Sequence, residues 1–150
     1  MQEKNTKPLI TIALDFDGTV VFHDYPRIGE DIPLCIETLK RWQKDYEVGY
    51  ILFTMRDGVE LENAVEWFKE KDIPLYGIQT NPTQHRWTTS PKAHADFSID
   101  DREACIQLVY NKVGLPGIDW KKLIEVFEPR LKKTYDDKIV IIDFYNKKQR

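Results

Sequence analysis

The alternation of short apolar runs with helical patterns is the feature that most limits how this chain folds. The run PLITIAL at residues 8–14 is rich in β-branched residues and too short for an independent helix, which is typical of a strand buried on both faces of a parallel sheet. Three similar runs follow at residues 48–54, 74–79 and 95–99. Between them, residues 31–46 and 60–71 carry apolar side chains at helical spacing. This order predicts an α/β protein with one mostly parallel sheet and helices on both faces.

The last third of the chain is predicted from the same patterns. Two helices are predicted near residues 102–113 and 119–128, separated by the turn-forming sequence GLPG. The β-branched run IVIIDFY at residues 139–145 predicts a final strand at the sheet edge. Since no repeat or linker interrupts the chain, residues 1–150 are predicted to form a single domain without a large cap domain.

The charge and the cysteines limit the partners and the compartment. A net charge of -3 gives no general attraction to nucleic acid or to an anionic membrane, so a nucleic acid is expected only as a phosphorylated end. The start MQEKNTKP lacks the apolar stretch of a signal peptide. Cys35 and Cys105 lack CxxC spacing and are interpreted as core thiols in a reducing compartment. We therefore predict a cytoplasmic protein without a membrane partner, and the sequence leaves its oligomeric state open.

Polar side chains follow three of the predicted strands at the point where each strand ends. They are Asp15 and Asp17 after the first strand, Thr54 after the second, and Asp100 and Asp101 after the fourth. Lys92 comes shortly before the fourth strand. Ligands of open α/β sheets bind beyond the carboxyl ends of the strands, and converging carboxylates repel one another unless a cation neutralises them. Carboxylate oxygens select Mg²⁺, and the lysine and hydroxyl remain for phosphate oxygens, which indicates a phosphoryl-transfer site.

These residues resemble the four motifs of the haloacid dehalogenase (HAD) superfamily, in the same order. The matching elements are LDFDGTV at residues 14–20, the threonine of ILFTMR, Lys92 of SPKAHADFSIDD, and the pair Asp100 and Asp101. The resemblance covers residues 9 to about 101 and implies a three-layer, Rossmann-like fold. Only the short segments 20–32 and 80–91 are placed to cover the site, so a capless member of the superfamily is expected.

The resemblance also implies a role for each matching residue. Asp15 would be the nucleophile that forms an aspartyl-phosphate, and also a metal ligand. Asp17 would be the general acid and base, with its backbone carbonyl on Mg²⁺. Thr54 and Lys92 would bind the phosphate, Asp100 would bind Mg²⁺, and Asp101 would bind it directly or through water. The implied activity is Mg²⁺-dependent hydrolysis of a phosphomonoester of unknown identity.

Several alternatives stay open at this point. A receiver domain is disfavoured because its phosphoacceptor aspartate ends a middle strand, and a dehalogenase because it would not need Asp17. A phosphotransferase of the same superfamily and a non-catalytic Mg²⁺-binding or scaffold protein remain. Arg56 is interpreted as a surface residue at a helix start, with a contact to phosphate as the less favoured alternative. Three tryptophans, Trp42, Trp67 and Trp120, are predicted to lie in the core, and the roles of His23, His85 and Trp87 are left open.

Overall fold

Four parallel strands form the central sheet in the computed structural model, which describes residues 7–150. The strands are β1 (Ile10–Leu14), β2 (Val48–Leu52), β3 (Leu75–Ile78) and β4 (Phe97–Ile99). Their order is β3-β2-β1-β4, and every neighbouring pair is parallel. The predicted α/β class and the parallel sheet are therefore confirmed, with β1 and β2 buried along their whole length.

Three α-helices and a hairpin complete the described fold. The helices are α1 (Cys35–Tyr46), α2 (Gly58–Glu70) and α3 (Trp120–Lys148), and a short 3₁₀ helix covers Gln84–Arg86. The antiparallel hairpin consists of β5 (Leu108–Tyr110) and β6 (Pro116–Ile118). Two backbone hydrogen bonds connect β6 to the segment that follows β1. His23 N–H donates to Pro116 O, and Ile118 N–H donates to Gly18 O.

One hydrophobic cluster connects the sheet to all three helices. It combines alternate residues of β1 and β2 with buried side chains of α1, α2 and α3. The ring of Trp42 lies 5.9 Å from that of Trp120 and 5.4 Å from that of Phe127. Trp67 packs edge-on against Phe16. The three tryptophans predicted to be in the core are all buried, which confirms that prediction.

Helices α1 and α2 pack against the same face of the sheet. Ile10, Ile12 and Leu14 of β1 contribute to the helix-facing cluster, whereas Thr11 and Ala13 are buried outside it. The physical reason lies in the strand order. Because β1, β2 and β3 follow one another in a single direction, right-handed crossovers place α1 and α2 on the same face.

The last third of the chain differs most from its prediction. The predicted helix at 102–113 is wrong, since this segment is a loop followed by β5. The helix at 119–128 exists but continues as α3, so the strand predicted at 139–145 is wrong. Asp119 caps the helix by accepting a hydrogen bond from Lys122 N–H at 3.1 Å. Once nucleated, a helix gains one hydrogen bond per added residue, and within residues 7–150 the β-branched run extends α3 instead of pairing with a strand.

Two further expectations concern the compartment. No helix in the described part of the chain is long and apolar enough to cross a membrane. The reading of the N-terminal sequence rests mainly on residues 1–6, which lie outside the described residues. Cys35 is buried as predicted, but the prediction of a core position is wrong for Cys105, which is exposed in the loop that replaces the predicted helix.

Candidate active site

Three carboxylates converge at the carboxyl ends of β1 and β4. The two strands are parallel neighbours with Leu14 paired to Ile99, so the residues that follow them leave the sheet side by side. Oxygens of Asp15, Asp100 and Asp101 all lie within 4.8 Å of one another. We call these three residues the acidic triad. The sheet register thus brings together residues that are 85 positions apart in the sequence, as the strand-end argument predicts.

The turn after β1 builds this triad around a glycine and a threonine. Gly18 has a φ of +77°, and a Cβ atom there would lie 2.3 Å from an oxygen of Asp101, so only glycine permits the approach. The buried hydroxyl of Thr19 donates to Asp15 Oδ2 at 2.7 Å and accepts from Asp101 N–H at 3.1 Å. Sequence reasoning gave Thr19 no role, although its hydroxyl four residues after Asp15 in a tight turn was a usable signal.

The electrostatics of the triad fit a divalent cation. Burial raises the pKa of Asp15 to about 7, with further contributions from the charges of Asp100 and Asp101, while the Thr19 hydrogen bond opposes the rise. Burial and the neighbouring Asp100 also raise the pKa of Asp101. These shifts mean that the triad holds more negative charge than its own surroundings stabilise. Carboxylate oxygens at this spacing are the ligands that Mg²⁺ prefers, so the residues present fit that ion.

Asp17 lies outside the triad and pairs with a buried arginine. Arg56 Nε and Nη2 donate to the two oxygens of Asp17, both at 2.7 Å. Arg56 is only 1% exposed, donates to Arg27 O at 2.9 Å, and lies 5.0 Å from the ring centroid of Phe16. The interpretation of Arg56 as a surface residue is therefore wrong. The physical reason is that two carboxylate oxygens and nearby carbonyls satisfy a guanidinium that would otherwise be too costly to bury.

A cavity of about 630 Å³ opens onto this cluster. Five of the six residues predicted for the site line it, namely Asp15, Asp17, Thr54, Asp100 and Asp101. Further lining residues are His23, Tyr25, Phe53, Met55, Arg56 and Arg102. The loop beyond β2 is held in place by the side chain of Gln79, whose Oε1 accepts from Thr54 N–H at 3.0 Å and whose Nε2 donates to Thr54 O at 2.7 Å.

Lys92 is the predicted site residue that the structure places elsewhere. It is exposed and is not among the residues that line the cavity within the described chain. Its backbone carbonyl accepts from Gln84 Nε2 at 2.6 Å, and Gln84 also accepts from His94 N–H at 2.6 Å. These bonds fix the backbone around Lys92, and its exposed side chain is not part of the cavity lining among the described residues. Arg56 and Arg102 are instead the cationic residues that line the cavity.

Comparison with known proteins supports the fold but names no activity for a similar protein. No family model matches the chain, and no curated protein matches it. Among solved structures, the chain is similar to a conserved protein from Bacteroides thetaiotaomicron, with 38% sequence identity and a TM-score of 0.63. The similarity covers 81% of this chain and 91% of the other. At this identity and coverage the chain belongs to the same family as that conserved protein, whose description names no activity.

Proposed function

We propose that this protein is a Mg²⁺-dependent phosphomonoester hydrolase, a capless member of the HAD superfamily, that works through an aspartyl-phosphate on Asp15. The observation that carries the proposal is the acidic triad at the ends of β1 and β4, with Thr54 on the same cavity. The resemblance of the sequence to the four HAD motifs, which include these same residues, also supports it. A bound divalent cation would supply the positive charge that lets a carboxylate approach a phosphate dianion.

The first step is displacement at phosphorus by Asp15. Thr19 bonds Asp15 Oδ2, so the other carboxylate oxygen is the one that attacks. A bond forms between that oxygen and phosphorus, and the bond from phosphorus to the leaving oxygen breaks. The leaving oxygen takes a proton from Asp17, and the hydroxyl of Thr54 binds a phosphate oxygen. The products of this step are the free alcohol and the acyl phosphate of Asp15.

The second step is hydrolysis of the acyl phosphate. Water attacks phosphorus, gives a proton to Asp17, and releases inorganic phosphate as the carboxylate of Asp15 re-forms. Both oxygens of Asp17 accept hydrogen bonds from Arg56 in the present arrangement. Asp17 therefore has to release one of these bonds when it carries the proton. This requirement makes Arg56 a positioning residue for the reaction.

A second candidate function is a non-catalytic Mg²⁺-binding protein. Two observations favour it, namely the pairing of Asp17 with Arg56 and the position of Lys92 outside the cavity. In this case the triad would still bind the cation, but no phosphate would be transferred to Asp15. A phosphotransferase of the same superfamily would form the same phosphoenzyme and pass the phosphate to an alcohol instead of water.

Rapid-quench trapping with an aryl phosphate distinguishes these functions. For the hydrolase we expect phosphate on Asp15 by mass spectrometry, loss of turnover in EDTA, and recovery with Mg²⁺. Asp15→Asn should give no phosphoenzyme, and Asp17→Asn should form it and stall at hydrolysis. The matched control is Asp143→Asn, an exposed acid on α3. Mg²⁺ binding without any phosphoenzyme would support the non-catalytic candidate, and faster turnover with added alcohols would support the transferase.

A further inference from the structure

We propose that the substrate carries an aromatic ring and has the size of a nucleoside monophosphate, with its ring bound by Tyr25, Phe53 and Met55. We call these three residues the ring site. This inference rests on the proposed function, because it assigns the part of the substrate that the phosphate chemistry does not touch.

The ring site is a group of exposed apolar side chains on the same cavity as the acidic triad. Tyr25 is 51% exposed, Phe53 is 47% exposed and Met55 is 93% exposed. All three line the cavity together with Asp15. Burial of apolar side chains that stay in water around a partly buried charged cluster is favourable when a ligand covers them. Their position therefore indicates an apolar portion in whatever ligand brings its phosphate to the triad.

Two separate segments supply the ring site from different parts of the chain. Phe53 and Met55 flank Thr54 just after β2, so the residue proposed to bind phosphate has an apolar neighbour on each side. Tyr25 comes from the segment between β1 and α1. Its ring lies 5.2 Å from the guanidinium carbon of the buried Arg56, which fixes the tyrosine before any ligand arrives. A fixed aromatic surface binds a ring with less loss of conformational entropy.

The size and chemistry of the cavity favour a ring over a bare sugar. Its volume of about 630 Å³ exceeds what a phosphate group fills and lies within the range of pockets for ligands of nucleotide size. Aromatic side chains stack on rings, and a methionine thioether makes favourable contacts with aromatic edges. His23 and Arg102 line the same cavity and offer hydrogen bonds to heteroatoms of such a ring. The hydroxyl groups of a sugar would meet mainly carbon atoms at the ring site.

The test compares adenosine 5′-monophosphate with ribose 5-phosphate in the presence of Mg²⁺. Both esters release a primary alcohol, so their ratio of kcat/KM isolates the contribution of the base. We expect a preference of about tenfold or more for the nucleotide, since stacking of one base on an aromatic side chain is typically of this size. Phe53→Ala and Met55→Ala should each reduce the ratio toward one. The control is Val113→Ala, a 77% exposed apolar residue outside the cavity, which should keep the wild-type ratio.

The possible results separate this inference from the proposed function. Equal kcat/KM for both esters, or variants that lower both equally, would overturn the ring site while the hydrolase stands. If neither ester is turned over, phosphoenzyme trapping with the aryl phosphate decides whether the hydrolase stands, and calorimetric binding of the same two compounds decides the inference. Tighter binding of the nucleotide that Phe53→Ala abolishes would support it, and equal binding would overturn it. A dimer that dissociates on Phe53→Ala would also overturn it, because a second copy would then occupy the ring site.

Discussion

Arg56 holds both oxygens of Asp17 from a position inside the protein, where its own side chain is 1% exposed. Removing one member of a buried, hydrogen-bonded charge pair leaves the other charge unpaired, at a cost of roughly 3 to 5 kcal/mol. We therefore expect Arg56→Ala to lower the free energy of unfolding strongly in urea denaturation.

Arg56→Lys keeps the charge but loses the two-pronged geometry. This variant should remain folded, bind Mg²⁺ normally and show a lower kcat with a displaced pH-rate profile. Arg27→Lys is the control, since Arg27 pairs with Asp24 on the surface. A wild-type pH-rate profile for Arg56→Lys would show that the pairing with Asp17 is structural only.

Asp15 offers a prediction about stability that is independent of turnover. Burial raises its pKa to about 7, so the metal-free protein is destabilised by the Asp15 charge at higher pH. Asp15→Asn removes that charge and should raise the melting temperature of the metal-free protein at pH 8, by an amount on the order of 1 to 3 kcal/mol in the free energy of unfolding. The same variant should lose most of the stabilisation that Mg²⁺ gives the wild type in a thermal melt. A lower melting temperature without metal would contradict the assignment.

At the residue scale, the sequence predicts where the site carboxylates lie but not where two basic residues lie. Asp15, Asp100 and Asp101 could be placed because a parallel sheet brings strand ends to one edge. Arg56 could not, because its burial depends on Asp17 and on carbonyls of a loop 30 residues away. Lys92 follows a loop whose path is fixed by hydrogen bonds of Gln84, and no local pattern reveals that path.

At the scale of elements, the first turn of α3 is hydrogen-bonded to the turn after β1 that holds Asp15. The indole of Trp120, in the first turn, donates to Thr19 O at 2.8 Å, and both residues are buried. Trp120→Phe keeps an aromatic ring but removes this donor and part of the buried indole, and the unsatisfied carbonyl alone costs roughly 1 to 3 kcal/mol. We expect lower stability and weaker Mg²⁺ binding, because Thr19 also holds Asp15.

The exposed Trp87 provides the control for that experiment. Trp87→Phe should leave both the urea midpoint and the Mg²⁺ titration at wild-type values, since Trp87 is largely exposed. Unchanged Mg²⁺ affinity in a destabilised Trp120→Phe protein would mean that the turn after β1 holds its shape without α3.

The elements themselves were predictable to different degrees. β1 and β2 are buried on both faces, so their continuous apolar runs carry a clear signal. The run at 139–145 carries the same β-branched signal but lies within α3, and among the described residues no strand edge pairs with it. Local propensity cannot reveal whether such an edge is available, and this explains the wrong strand prediction.

For the whole molecule, the triad predicts how pH and Mg²⁺ act together. The raised pKa of Asp15 means that the folded protein binds a proton that the unfolded chain has already lost. This contribution to the stability of the metal-free protein is fully present below about pH 4 and is lost as the pH rises through about 7.

The cation competes with that proton for the same oxygens, so Mg²⁺ affinity should rise by about tenfold per pH unit below pH 7 and level off above it. Calorimetric titrations between pH 5.5 and 8.5 test this. Asp100→Asn should lower the affinity at every pH in that range. A Mg²⁺ affinity that does not change with pH would exclude Asp15 as a ligand.

The length of α3 has a consequence for how its parts open. At 1.5 Å per residue its 29 residues extend over about 43 Å, with Trp120 and Leu131 in the core and residues 141–150 exposed throughout. Backbone amides exchange with deuterium at rates set by the free energy of the opening that exposes them. Amides near Leu131 should exchange only when the whole protein unfolds, whereas those beyond residue 141 should exchange by fraying. The two ends of one continuous helix would then show two different free energies of opening. Uniform protection along α3 would mean instead that another surface covers its C-terminal end.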